Sequence, residues 1–128
     1  MKKKVLVVDD DKEIVDFLEH FLGRLKLHVI KAICAKEALE RYHRHHPDCV
    51  FLDIQMPDKD GLSVLKELKV LSPLLKVIMI TAKDDKESQA KARKYGALDY
   101  ITKPLDLSDL AQKVEKYLSS DIDCSSKP

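Results

Sequence analysis

Four short apolar runs in this chain each end in a side chain able to work on phosphate or metal. Val5 to Val8 leads into Asp9 and Asp10, Cys49 to Leu52 into Asp53, Val77 to Ile80 into Thr81, and the segment Asp99 to Thr102 into Lys103. A run that is apolar at every position fits a strand covered on both faces, as in a parallel sheet. Between the runs, apolar residues recur at spacings of three and four, the period of a helix that buries one side. Ile14, Leu18 and Leu22, with Val15, Phe21 and Leu25 beside them, form the first such stripe, and Gly23 sits near its expected end. Val29 and Ile30 mark a short second strand, and Ala35, Ala38, Leu39 and Tyr42 a second helix stopped by Pro47. Gly61 closes a loop containing Pro57, and Val64, Leu65, Leu68 and Leu71 stripe a third helix ending before Pro73. Residues from about Asp84 to Tyr95 favour a helix whose apolar side is little more than Ala90, Ala92 and Tyr95, which predicts weak anchoring. Gly96 precedes a fifth strand around Leu98 to Ile101, and Leu107, Leu110, Ala111, Val114 and Leu118 stripe a last helix.

About five strands alternating with helices predict an α/β fold: a parallel sheet wound on both faces, since parallel strands require crossover connections. In such sheets the ligand site lies beyond the carboxyl ends of the strands, where strand order reverses. Those are the ends that carry Asp9, Asp10, Asp53, Thr81 and Lys103. With the first strand central and flanked by the third, the three acids share one cleft, with Thr81 and Lys103 beside them.

The chain has 128 residues with no internal repeat, which fits one domain of common size. Lys and Arg number 23 against 22 Asp and Glu, so no overall field favours nucleic acid or an anionic membrane. The start MKKK followed by VLVV imitates a signal peptide, but Asp9, Asp10 and Asp11 cut the apolar run too soon. No stretch approaches the roughly 20 apolar residues of a membrane span. Cys34, Cys49 and Cys124 are an odd set without metal-type spacing, so the expectation is a cytoplasmic protein with Cys49 a small buried hydrophobe. The segment from Ser119 onward, SSDIDCSSKP, reads as a polar tail or the start of a linker after a domain spanning 1–118.

The chemistry of the cleft follows from charge. Two carboxylates about 4 Å apart repel by about 4 kcal/mol at an effective dielectric of about 20, and a third adds to this. A cation must compensate, and carboxylate oxygens, a backbone carbonyl and water suit Mg²⁺, or Mn²⁺ in its place. A metal there also binds phosphate. An ionised Asp can attack phosphorus to form an aspartyl phosphate while a Lys neutralises charge on the transferred oxygens and Thr81 donates its hydroxyl to one of them.

In order, VLVVDDD, FLDIQMPDKDG, MITAK and GALDYITKP resemble the signatures of the receiver domain of bacterial two-component response regulators, the chemotaxis regulators among them, over roughly Lys3 to Leu118. The resemblance implies a flavodoxin-like sheet in the order 2-1-3-4-5. It implies Asp53 as phosphoacceptor, Asp10 as a direct ligand of Mg²⁺, Asp9 as a ligand through water, and Gln55 as donor of a backbone carbonyl to the metal. It further implies that Lys103 contacts the phosphoryl group and precedes a cis peptide at Pro104, that Thr81 moves to bind the phosphoryl, and that Tyr100 turns inward with it. Such a domain is not an enzyme in the ordinary sense, but catalyses its own aspartyl phosphorylation and dephosphorylation. The donor implied is a sensor histidine kinase or phosphotransfer protein; a phosphorylation-dependent homodimer is left open, and neither nucleic acid nor membrane is expected to be bound by this chain. Leu105 departs from the Phe often found after the Lys-Pro pair.

Blander readings stand beside these. Asp11 is the best single candidate to cap the first helix, and Tyr100 also fits a half-buried strand aromatic with no switching role. Asp58, Lys59, Asp60 and Gly61 hint at a calcium loop but lack its acid spacing and closing Glu. His43, His45 and His46 fall at a helix C-terminus, where cations are favoured. A metal-dependent phosphohydrolase of the haloacid dehalogenase type would need a second acid where Gln55 stands. A degenerate receiver acting only as a binding module would not need the full acidic set.

Overall fold

The computed structural model describes residues 3–82 and 84–118. Five strands and five helices alternate: β1 (Lys4–Val8), α1 (Lys12–Arg24), β2 (His28–Ala32), α2 (Ala35–His45), β3 (Cys49–Asp53), α3 (Gly61–Leu71), β4 (Lys76–Ala82), α4 (Lys86–Lys94), β5 (Asp99–Lys103) and α5 (Leu107–Leu118). The strands form one parallel sheet in the order β2-β1-β3-β4-β5. Strand order therefore reverses between β1 and β3, which is where Asp9 and Asp53 emerge.

The unbroken apolar runs follow from this architecture. Along β1, Val5 and Val7 face one side, with Val15, Leu18 and Leu22 of α1 and Leu110, Val114 and Leu118 of α5. Leu6 and Val8 face the other, with Ala38 and Tyr42 of α2 and Val64, Leu65 and Leu68 of α3. Each fully buried aliphatic side chain contributes roughly 1.5–3 kcal/mol relative to exposure, so the central strands hold the fold from both faces. Cys49 belongs to the α1/α5 side and is fully buried, and that burial pushes its thiol up to about 12. Native protein treated with iodoacetamide at pH 8 is expected to leave Cys49 unmodified until denaturant is added; peptide mapping that finds it alkylated under native conditions would contradict this burial.

Gly23 is the next-to-last residue of α1, near the helix end as expected. The left-handed residue that ends the turn is Lys26, at φ 68°, with its N–H bonded to the Gly23 carbonyl. Cys34, the N-cap residue of α2, supplies no side-chain cap; Asp58, from the loop after β3, caps the helix instead by accepting from the Ala35 and Lys36 N–H groups at 3.0 and 3.2 Å. Those bonds hold the Asp58 carboxyl below its ordinary range. The acidic loop that imitated a calcium site is thus a capping loop, and Asp60 caps α3 by accepting from Leu62. Asp11 caps α1 as expected, accepting from Glu13 at 2.9 Å. The segment from Ser119 on, with Cys124, lies outside the described residues. No helix among the described residues is long and apolar enough to cross a membrane.

Candidate active site: an acidic cleft at the strand ends

The sheet brings the marked residues together. Asp9 follows β1 with its N–H bonded to the Ala32 carbonyl, Asp53 closes β3, Thr81 lies near the end of β4, and Lys103 ends β5. Register aligns Asp53 with Ile80, Thr81 with Thr102 and Ala82 with Lys103, so the side chains meet without any long loop. Asp9, Asp10 and Asp53 each offer a carboxylate oxygen within 4.8 Å of the others. A cleft of about 250 Å³ opens over Asp10, Asp53, Gln55, Thr81 and Lys103.

Burial differs sharply within the cluster. Asp9 is fully buried and Asp53 almost so, whereas Asp10 is exposed. The Lys103 ammonium lies 3.0 Å from Asp9 Oδ2 and 3.6 Å from Asp53 Oδ1. Asp9 Oδ1 accepts the Asp11 N–H at 2.9 Å, but Oδ2 faces the ammonium outside hydrogen-bond geometry and has no other partner. Burial pushes the Asp9 carboxyl up against the Asp11 bond and the Lys103 charge, which favour ionisation. Asp53 is raised to about 7, first by burial and then by the Asp9 charge, with Lys103 opposing. For Lys103, burial acts to lower its affinity for the proton, but the close Asp9 carboxylate and the charge of Asp53 win and raise it.

One ammonium therefore faces three carboxylates. An all-oxygen donor set with a buried, unbonded carboxylate oxygen fits a hard divalent cation such as Mg²⁺. Lys103→Met should remove the one cation among the described side chains of the cleft and lower the metal-free stability by roughly 1–3 kcal/mol, the buried-pair value discounted because the ammonium is about a third exposed. Urea unfolding at pH 7.5 in chelator measures this; an unchanged midpoint would show that the ion pairs carry no net stability.

Thr81 is buried with its hydroxyl oxygen unbonded, at the cleft wall. Gln55 is exposed at the cleft edge. Tyr100 is half-buried, packs against the α2/α3 core, and has the Arg93 guanidinium carbon 5.0 Å from its ring centroid. The Lys103–Pro104 peptide is cis. Of the histidines, His43 and His46 are exposed and His45 half-buried at the end of α2, with His46 in the left-handed conformation at φ 47°; none lines the cleft.

Two residues of the region were missed by sequence reasoning. Asp85 borders the cleft while capping α4, accepting from Ser88 at 3.1 Å, and the Ser88 bonds hold its carboxyl low. Gln89, rather than Ala90, faces inward from α4; it is 4 % exposed and its amide donates to the Ala82 carbonyl at 3.2 Å. Its position one turn before Ala92 was the only hint.

Comparison with known proteins gives a consistent picture. The family model described as "Response regulator receiver domain" matches residues 5–115. The alkaline phosphatase synthesis transcriptional regulatory protein PhoP of Bacillus subtilis is 36% identical over 118 residues, covering 92% of this chain and 49% of the relative. The transcriptional regulatory protein ZraR of Escherichia coli is 38% identical over 115 residues, covering 90% of this chain and 26% of the relative. The chain thus spans half or less of these curated relatives. Among solved structures, a CheY-like response regulator receiver domain protein of Methanospirillum hungatei superposes with a TM-score of 0.89 at 30% identity, covering 96% of this chain and 98% of that one. A two-component response regulator of Clostridium difficile gives a TM-score of 0.87 at 28% identity, covering 91% and 96%.

Proposed function

The chain belongs to the response regulator receiver domain family, and on that premise we propose that it is the phosphoacceptor of a two-component phosphorelay, taking a phosphoryl group on Asp53. The observation that carries this reading is a nearly buried carboxylate at the end of β3, held in one cluster with Asp9 and Asp10 and facing the Lys103 ammonium at 3.6 Å. The donor is a phosphohistidine on a sensor histidine kinase or phosphotransfer protein. An Asp53 oxygen attacks phosphorus, the P–N bond breaks, and the released imidazole nitrogen takes a proton from solvent.

Asp9, Asp10, Asp53 and the Gln55 backbone carbonyl would hold Mg²⁺, or Mn²⁺, which when bound neutralises the acidic cluster and the phosphoryl oxygens. Lys103 is placed to pair with the transferred phosphoryl, drawing away from Asp9 and Asp53 as it does so. The unbonded Thr81 hydroxyl supplies a hydrogen bond to a phosphoryl oxygen, ending its unsatisfied burial. That movement of Thr81 favours an inward position of Tyr100 and shifts the face formed by α4, β5 and α5 between two arrangements. α4 suits this because Ala92 and Gln89 are its only buried residues. Self-dephosphorylation returns the domain to rest, so it acts as a switch rather than as an enzyme with turnover on a free substrate. The partner on the output side belongs to the same polypeptide or to a second protein, in the cytoplasm, with no nucleic acid contact by this domain.

The test is incubation with a small acyl phosphate and Mg²⁺, followed by intact mass and peptide mapping. The expected result is one added phosphoryl group on Asp53, acid-labile and absent when chelator is present. A mass unchanged under all conditions would overturn the reading.

A further inference from the structure

Gln89 is 4% exposed, on a helix whose other buried residue is Ala92. Glutamine belongs mostly to protein surfaces, and burying its amide is costly unless the amide is hydrogen-bonded. Here the side-chain nitrogen donates to the Ala82 carbonyl at 3.2 Å, reaching seven residues back along the chain. The same carbonyl accepts the backbone N–H of Asp85, the N-cap of α4, at 3.1 Å. Two donors, one from the cap and one from the next turn of the helix, thus converge on one oxygen, whose two lone pairs can take both.

Ala82 joins that helix to the chemistry of the cleft. It is the last residue of β4, it follows Thr81 directly, and in the sheet it stands opposite Lys103. Thr81, Ala82 and Lys103 all line the cleft. The Thr81 hydroxyl is buried there without a partner. The peptide unit between Thr81 and Ala82 is planar, so a shift of the Thr81 backbone carries Ala82 with it. A bond of 3.2 Å already lies at the long end of the hydrogen-bond range, and stretching it by about 0.5 Å breaks it. The other end of α4 has a contact of the same kind, where the Arg93 guanidinium lies over the Tyr100 ring. α4 is therefore tied at its start to the residue beside Thr81 and at its end to Tyr100.

We propose that Gln89 is a positioning residue for Thr81: its bond to the Ala82 carbonyl holds the end of β4 and the start of α4 in the resting arrangement, and is released when Thr81 moves to the phosphoryl group. The inference rests on the phosphoacceptor reading of Asp53. Because the amide opposes the movement, removing it should make the phosphorylated arrangement easier to reach, not harder.

The probe is beryllofluoride with Mg²⁺, a mimic of the phosphoryl group that cannot be transferred, titrated into the native chain and into Gln89→Leu. Leucine keeps the volume of the side chain and removes its amide. Affinity is read from backbone amide shifts by nuclear magnetic resonance. Gln89→Leu should bind the probe about two- to tenfold more tightly, the change in an equilibrium that one hydrogen bond makes net. Before any probe is added, its α4 signals should already be displaced toward their bound positions. A merely structural role for Gln89 would lower the melting midpoint without tightening the binding. The native chain supplies a second measurement that needs no variant: at saturation with the probe, the Gln89 side-chain amide signals should shift and exchange faster with water. Equal or weaker binding by folded Gln89→Leu, or a Gln89 amide that keeps its shift and exchange rate at saturation, would overturn the role of Gln89 and leave that of Asp53 standing. A native chain with no response to the probe would overturn the phosphoacceptor reading, and the role of Gln89 with it.

Discussion

Replacing Asp53 with Asn is expected to end phosphoryl uptake and, without metal, to make the protein more stable. The two effects share one cause. Asp53 has almost no exposed surface, and its carboxyl is raised from 3.8 to about 7, first because it is buried and then because Asp9 lies close. The folded state therefore holds this proton more tightly than the unfolded state does. Below about pH 4 both states are protonated and the group contributes nothing; between there and about 7 stability falls as pH rises; above that the cost of the buried charge is fully present. The shift to about 7 already includes the opposing charge of Lys103, so the cost that remains at pH 8 is on the order of a few kcal/mol. Asn keeps the shape and removes the charge. Melting in chelator should show the native protein losing several degrees between pH 5 and pH 8 and the variant losing less, with a residual slope because burial raises Asp9 in the same direction. Added Mg²⁺ should stabilise the native protein more than the variant and narrow the gap. Parallel pH profiles for the two proteins would refute the electrostatic account, and phosphoryl uptake by the variant would refute the assignment of Asp53.

The same residues explain why so much of the site was legible beforehand. Strands such as Val5 to Val8 and Val50 to Leu52 are buried from both sides, so their sequence has no polar face and ends abruptly where the chain leaves the sheet. A parallel sheet then places all those ends along one edge, and the order of the strands selects which of them meet. Side chains that act across the fold left no such mark. Asp58 caps a helix that starts 23 residues before it, and local spacing gives no sign of that bond. Gln89 breaks the rule that a helix buries its apolar side, because its amide has a carbonyl partner at Ala82. Asp85 looked like one more acid in a charged stretch, yet the backbone places it at the cleft. The weak apolar face of α4 was visible; the polar contact that ties it to the end of β4 was not.

The largest loss of stability is expected from the smallest added group, a methyl at Gly61. A Cβ built there lies 2.1 Å from the Asp53 carbonyl oxygen and 2.7 Å from Ile54 Cα. Both are backbone atoms at the end of β3, fixed by pairing with β4, so neither can rotate aside as a side chain would. The Gly61 N–H also bonds the Ile54 carbonyl at 2.7 Å, which pins the first residue of α3 against the strand that carries Asp53. Alanine must push α3 off the strand end or move Asp53 itself. Either costs roughly 3 kcal/mol or more, at the upper end of overpacking because the colliding atoms belong to two ordered elements. Gly23 supplies the control: it lies within α1, and a Cβ there meets nothing within 4 Å. Gly23→Ala should therefore stabilise by about 0.5–1 kcal/mol through helix propensity and reduced unfolded-state entropy. Chemical denaturation of the two variants should move the midpoint in opposite directions. Because Gly61→Ala acts on the Asp53 backbone, whatever folded protein remains should also take up phosphoryl groups more slowly per folded molecule. Near-native stability in Gly61→Ala would mean that α3 can pull away from the acidic cleft without cost, and the tight seating of Asp53 against Gly61 would then have no role in holding the site.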